Sequence, residues 1–380
     1  MSVLSQLCEL KGAVVDSAPV KGYLTSSMNL EELETSSLPT SSSEGQRHTL
    51  VTFNVIDLKN REDRLESIHK EFIQPFYTQG RKCDFVGSRD VKLSARSWTH
   101  SDAESTLLLI GGRNESHAKY AEVAYDFFSR GFDVWTYDHR GQGFSQRELE
   151  NTQIGWVESF QNYVNDLDIF YNRIVASQKK KNFYIIAHSM GAAVTALWLA
   201  QSQLKPTAVM LTAPMIDLIL KPYPRFVVAA MVAAGLRSGR DKQYVPGSQD
   251  FQFSDYGFDL TNSTARRNWN RNLFAVYPAL RLGGPSFQWL HEALQVPRRL
   301  RTVQFPDSVN CPILVFQAGS DQVVKPNAQI HLRSKNPHFV MAYEPHGQHE
   351  LLQEQDDIRA RVINKTLHFF EQAAKLGETV

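Results

Sequence analysis

The sequence predicts an α/β protein built on a mostly parallel sheet, and three observations carry that prediction. Short apolar runs alternate with segments of helical period from Ser105 to Thr212 and again from Pro312 to the C-terminus. One run, Asn182–Ala187, ends in a turn of small residues around Ser189 and passes at once into a helix-forming stretch. The alternation is broken once, by about ninety residues near 215–306. Parallel strands need crossover helices, so strand–helix repetition implies a sheet covered on both faces.

Element by element, residues 24–46 are rich in Ser, Thr and Glu, so the region 1–48 reads as a disordered tail that buries too little apolar surface to offset its ordering entropy. Globular patterning starts at Thr49. The alternating run Phe85–Trp98 reads as an antiparallel hairpin. Strands are then expected at Ser105–Ile110, Phe132–Tyr137, Asn182–Ala187 and Thr207–Thr212, with helices near His117–Arg130, Phe160–Ser177 and from Met190. After the break come a strand at Pro312–Ala318, a helix near Asn327–Ser334, a strand at His338–Tyr343 and a helix from Asp356 to Ala374. The expected organisation is a core from 49–214 and 307–380 with an inserted cap at 215–306.

Composition narrows the function. Among 380 residues, 42% are apolar and 21% charged, and the mean hydropathy of -0.34 is that of a globular enzyme or binding protein. A formal net charge of +1 gives no global attraction to polyanions, so no nucleic-acid partner is expected. The insertion differs: between Pro222 and Phe305 it holds eleven Arg or Lys against five Asp or Glu. Cys8, Cys83 and Cys311 are too few for a disulfide framework, which favours a reducing compartment, with the cytosol as default. Met1–Leu10 lacks a basic region, so no export signal is expected. The longest apolar stretch, Phe226–Leu236, is shorter than the ~18–20 residues of a membrane-spanning helix.

Acyl-transfer chemistry is legible in four places. Ala187-His188-Ser189-Met190-Gly191 has the strand, sharp turn and helix that lift a serine hydroxyl clear of a sheet, with Ala where the first glycine is usual. Asp321 follows the strand ending at Ala318, in the place of an orienting carboxylate; alone it reads more readily as a turn or helix-cap aspartate. His346 and His349 both follow the next strand. His349 is the favoured base because it precedes the apolar Leu351-Leu352, whereas His346 sits between Pro345 and Gly347. The backbone N–H groups of Met190 and of Arg113, beside Gly112, are the expected oxyanion donors. Two competing motifs fail. His349-Glu350 begins a zinc-binding H-E-x-x-H pattern, but Gln353 holds the last position; Gly141-Gln142-Gly143 lacks the third glycine of a dinucleotide loop and reads as a turn.

Leu108 to Ser116, Lys119-Tyr120-Ala121-Glu122, Tyr137 to Ser145, Ala187 to Gly191 and His349-Glu350-Leu351-Leu352 resemble the monoacylglycerol lipase and lysophospholipase branch of the α/β-hydrolases. Arg281 to Leu290, in the insertion, resembles the bacterial lysophospholipase L2 family, and the likeness runs over roughly 50–375. The resemblance implies an α/β-hydrolase fold with an inserted cap, no cofactor, and a Ser189–His349–Asp321 triad that hydrolyses the acyl ester of lysophospholipids. It also implies a peripheral location on an anionic membrane surface, at the cytoplasmic face of the inner membrane. Ala187 and Gly111 depart from the branch's usual Gly and His without removing a reacting group. The rivals are a monoacylglycerol lipase or broad carboxylesterase using the same residues, and a catalytically silent binding protein of the same fold. In the cap, Phe226–Ala234 is expected to offer an apolar wall to an acyl chain. Arg237, Arg240, Lys242, Arg266, Arg267, Arg271, Arg298, Arg299 and Arg301 are candidates to meet phosphate, or else form a solvated rim.

Overall fold

Apolar runs too short and too uniformly buried to be amphipathic helices form the centre of the molecule. In the computed structural model, which describes residues 55–378 apart from 179, 203, 256, 258, 331 and 333–338, they build an eight-stranded sheet. The expected tail at 1–48 lies outside the described residues. The strands are β1 (Arg81–Lys82), β4 (Ala95–Trp98), β5 (Ser105–Ile110), β6 (Phe132–Tyr137), β7 (Asn182–His188), β8 (Ala208–Thr212), β9 (Ile313–Ala318) and β10 (Phe339–Glu344); β2 (Phe85–Val86) and β3 (Lys92–Leu93) form a separate pair. Their order is β1-β4-β6-β5-β7-β8-β9-β10, antiparallel at β1-β4 and β4-β6 and parallel elsewhere. This is the mostly parallel, helix-flanked α/β architecture that the alternation predicted.

The expected 85–98 hairpin is reduced to the β2–β3 pair. All four residues of β4 are buried, so that strand leaves the surface hairpin and joins the main sheet beside β6. The crossover helices are α1 (Ala121–Phe128), α2 (Phe160–Phe170) and α3 (Ser189–Gln201). Helix α3 is buried through Leu199, as expected for a helix apolar all round that is packed under neighbours; every residue of α1 is buried too, including the paired carboxylates Glu122 and Asp126. Ser159 caps α2 by accepting the Gln161 N–H.

Residues 215–306 contain α4 (Arg225–Arg237), α5 (Thr264–Val276) and α6 (Phe287–Thr302). Val228 and Val232 of α4 meet Phe287, Leu290 and Leu294 of α6 in a cluster of their own. A Cβ at Gly235 would stand 2.3 Å from the Phe287 ring, so glycine permits this approach. The opposite side of α6, with Trp289, Ala293, Val296 and Leu300, belongs to the main core. The last helix of the insertion is therefore shared with the body. Helices α7 (Pro326–Ile330) and α8 (Asp356–Glu378) complete the chain.

Two expectations for the insertion are corrected. The apolar stretch of α4 is mostly turned outward: only Val228, Val232 and Gly235 are buried, against α6, and Phe226 is 75% exposed. Arg266 cannot meet a phosphate, because its buried guanidinium is bound to Glu122 (Nε–Oε2 2.9 Å) and Asp356 (Nη2–Oδ1 2.7 Å). Desolvating an arginine is tolerable only with such partners. It belongs to a cluster in which Arg61 also meets Glu122 and Asp126, at 3.1 and 2.7 Å, and Arg359 meets Asp126 at 2.5 Å. Three guanidiniums face three carboxylates, tying α5 and α8 to α1.

Candidate active site

Strand β7 runs straight into α3, and the chain turns at Ser189 with φ of +49°, a left-handed conformation costly for a residue with a side chain. The turn is tight because α3 lies against the end of β5: a Cβ at Gly191 would stand 2.2 Å from the Gly111 carbonyl oxygen, so only glycine fits. Ala187 is fully buried and its methyl is accommodated. Asp321 comes from the loop after β9 and His349 from the loop after β10, so all three candidates lie beyond carboxyl ends of strands, where α/β sheets place their sites.

The three side chains meet. His349 Nε2 is 2.8 Å from Ser189 Oγ, and His349 Nδ1 is 2.8 Å from Asp321 Oδ2. Asp321 Oδ1 accepts the Val323 and Val324 N–H groups at 2.8 and 3.0 Å. Burial opposes the Asp321 charge, but the His349 hydrogen bond and charge and these two amides outweigh it and hold the carboxyl below its ordinary value. His346 is exposed and offers only its backbone oxygen, to Asn262, so it is not brought to the site.

Of the two expected oxyanion donors, Met190 directly follows Ser189 in the chain and Arg113 follows Gly112. Met190 opens α3, where an N–H has no intrahelical partner. In the β5 loop, Gly112 is packed against the serine, since a Cβ there would stand 3.1 Å from Ser189 Cβ. The Gly112 N–H is already committed to Glu115 Oε2, whereas the Arg113 N–H has no hydrogen-bond partner among the described residues.

Sequence reasoning missed the groups that hold this loop. Glu115 also accepts from Tyr120 Oη at 2.8 Å and from Lys119 Nζ at 2.8 Å, and Lys119 reaches Glu350, next to His349, at 2.6 Å. Burial raises the Glu115 carboxyl, but Lys119 and His188 together with the Gly112 N–H bring it down to about 2. The i,i+4 spacing of Glu115 and Lys119 was a readable signal; the reach to Glu350 was not. Gln142 Nε2 donates to the Gly112 oxygen at 2.7 Å, so the turn at Gly141 and Gly143, both with positive φ, buttresses the same loop. His188 is neutral: burial lowers it to about 4, and its ring lies 4.8 Å from that of His349.

A serine at a strained strand-to-helix turn, joined to a histidine and an aspartate from later strand ends, defines the α/β-hydrolase class. The comparisons agree. Residues 101–356 match the family model described as serine aminopeptidase, S33. The chain is 30% identical over 327 residues to lysophospholipase L2 of Escherichia coli K12, covering 83% of this chain and 95% of that one. It is 30% identical over 298 residues to a probable lysophospholipase L2 of Haemophilus influenzae, covering 78% and 93%. The chain belongs to the lysophospholipase L2 family and is an ester hydrolase. Its fold resembles that of a soluble variant of Saccharomyces cerevisiae monoglyceride lipase, with a TM-score of 0.61 at 17% identity over 78% of this chain and 94% of that one. It also resembles a thermostable Bacillus coagulans carboxyl esterase, with a TM-score of 0.59 at 14% identity over 78% and 99%.

Proposed function

We propose that this ester hydrolase cleaves the acyl ester of lysophospholipids, releasing a free fatty acid and a glycerophosphodiester, through Ser189, His349 and Asp321. The observation that carries the reading is the unbroken relay from Ser189 Oγ through His349 to Asp321, 2.8 Å at each step, beside the unpartnered Arg113 N–H. His349 Nε2 takes the hydroxyl proton as Ser189 Oγ attacks the ester carbonyl. Asp321 stabilises the imidazolium and fixes its orientation. The N–H groups of Arg113 and Met190 hold the oxyanion. His349 then returns its proton to the departing glycerol oxygen, which leaves an acyl-serine. Water, deprotonated by the same imidazole, hydrolyses that ester and frees the fatty acid.

The head group is argued from the L2 relatives and from the cationic insertion. No described helix is long and apolar enough to cross a membrane. The reading includes peripheral docking on an anionic bilayer at the cytoplasmic face of the inner membrane. Tyr223, Phe226 and Val227 of the insertion are exposed, as are Lys221, Arg237 and Arg240. Residues 215–306 act in this reading as the cap. Labelling by a fluorophosphonate probe is expected in the wild type and in Ser320→Ala, which alters an exposed neighbour of Asp321, and to vanish in Ser189→Ala. Fatty-acid release from lysophosphatidylethanolamine should exceed that from a monoacylglycerol of the same chain. Labelling that survives Ser189→Ala rejects the nucleophile; preference for the neutral lipid rejects the substrate.

A further inference from the structure

The half-buried Arg113 side chain differs from the fully buried arginines that carry ion pairs. Arg61, Arg140, Arg266 and Arg359 each face at least one carboxylate within 3.1 Å. Arg113 faces none within 4.0 Å among the described residues. Its Nη2 donates to the Gly283 oxygen at 2.6 Å, and its guanidinium lies 5.0 Å from the Trp289 ring centroid. Nε is buried with no partner, and Nη1 has none either while retaining access to solvent. Burial lowers the guanidinium to about 10, which still leaves it charged at neutral pH. Arg96 also lacks a carboxylate and leaves Nε unpartnered, but its Nη1 donates to the Tyr77 and Gly80 oxygens and it lies on β4, with β6 and β5 between it and β7.

The protein makes room for this unpaired charge. The loop at 153–155 and the loop at 283–286 are joined by the bonds from Gly283 N–H to the Gln153 oxygen and from Gly155 N–H to the Gly284 oxygen, at 2.7 and 3.0 Å. A Cβ at Gly155 would stand 2.5 Å from Arg113 Nη2. Holding a guanidinium between two loops without a counter-charge is costly unless an anion arrives from outside. The same residue carries the backbone N–H proposed above as an oxyanion donor, one position after Gly112, which packs on Ser189. In a lysophospholipid a glycerol bridge separates the ester from the phosphate, so both ends of the bridge would meet one residue.

We propose that the Arg113 guanidinium is the phosphodiester-recognition group of this site, pairing with the head-group phosphate while its own N–H holds the ester's oxyanion. This rests on the lysophospholipid reading above. A planar fork of donors suits a phosphodiester better than a lysine's point charge does.

The test compares kcat/KM on lysophosphatidylethanolamine with kcat/KM on a monoacylglycerol of the same acyl chain, for the full chain and for Arg113→Met and Arg113→Lys. In Arg113→Met the phospholipid-to-neutral ratio should fall about 10–100-fold, mainly through KM, and Arg113→Lys should recover part of it. Equal losses on both lipids would mean that Arg113 only ties the two loops together, and an unchanged ratio would mean that it does neither; each overturns the assignment. If Arg113→Met does not fold, Gly155→Ala displaces the same guanidinium and should lower the same ratio, and an unmoved ratio there is equally decisive. A wild type that already prefers the neutral lipid removes the parent reading as well. A wild type that prefers the phospholipid, with ratios unmoved in the variants, removes only the role of Arg113.

Discussion

Arg266, fully buried in the insertion, and Arg113, half-buried and bonded to the insertion at Gly283, have opposite surroundings. Arg266 meets Glu122 and Asp356 and sits in a cluster where every guanidinium has a carboxylate. Arg113 meets a carbonyl oxygen, an aromatic ring and no carboxylate. The first arrangement is closed, and its charges are spent on each other. The second is open: an amide, two guanidinium nitrogens and the Ser189 hydroxyl stand ready for something the chain does not supply. A missing carboxylate is not by itself a mark of function, since Arg96 is buried without one too; Arg113 differs in following Gly112, which packs on Ser189. Changes in the closed cluster should alter stability, and changes in the open site should alter rate.

The largest rate effect after loss of Ser189 itself is expected at Asp321. Asp321→Asn keeps the bulk but favours the wrong imidazole tautomer, and should lower kcat about 10⁴-fold, or ~5 kcal/mol. Its denaturation midpoint should move far less than its rate. A loss of less than tenfold would mean that Asp321 is a turn aspartate.

The closed cluster should answer in the other way. Glu122→Ala strips a carboxylate from Arg61, Arg266 and Arg359 at once, and uncompensated buried charge costs about 3–5 kcal/mol. Urea denaturation should show that loss, while the fluorophosphonate labelling rate of the remaining folded protein drops much less. A midpoint shift worth under about 1 kcal/mol would show that the cluster is not the tie between α1, α5 and α8 described above.

Legibility in the sequence followed the range of the interaction. The strands from β5 to β9 were readable because burial of a central strand is written in consecutive residues; β10, at the edge with only Ala342 and Glu344 buried, was readable from its composition alone. Ser189 was readable because its strand, turn and helix are contiguous. Asp321 and His349 were named from chain order and strand ends, and the structure brings them to Ser189. His349 could be preferred to His346 because two apolar residues follow it closely. What could not be read depends on distant partners. Nothing local distinguishes Arg266, paired across the fold, from the exposed Arg237, and nothing near Lys119 announces Glu350, 231 positions away. Helix α4 misled for a different reason: apolar on nearly every side, it gives no period from which to tell its packed face from its exposed one.

The smallest expected effect lies in pH, and it extends the contrast to histidines. Burial lowers His69, His139 and His188 to about 4 and His117 to about 3, from 6.5. A depressed folded value means that the unfolded chain takes up a proton first, so stability is complete above about 6.5 and declines as pH falls toward 4. Below 4.5 the Glu122 carboxylate adds to the decline: burial raises it, but the three arginines outweigh burial and hold it well below that ordinary value. His69 borders the closed cluster, stacks on Trp269 at 3.8 Å and leaves Nδ1 without a hydrogen bond. His69→Phe keeps a ring for that stack and removes the proton. Urea midpoints between pH 4.5 and 6 should then give a slope of stability against pH shallower by about one proton, roughly 1.4 kcal/mol per pH unit. An unaltered slope would mean that this imidazole is protonated in the folded protein too, and that burial beside the cluster does not exclude its charge.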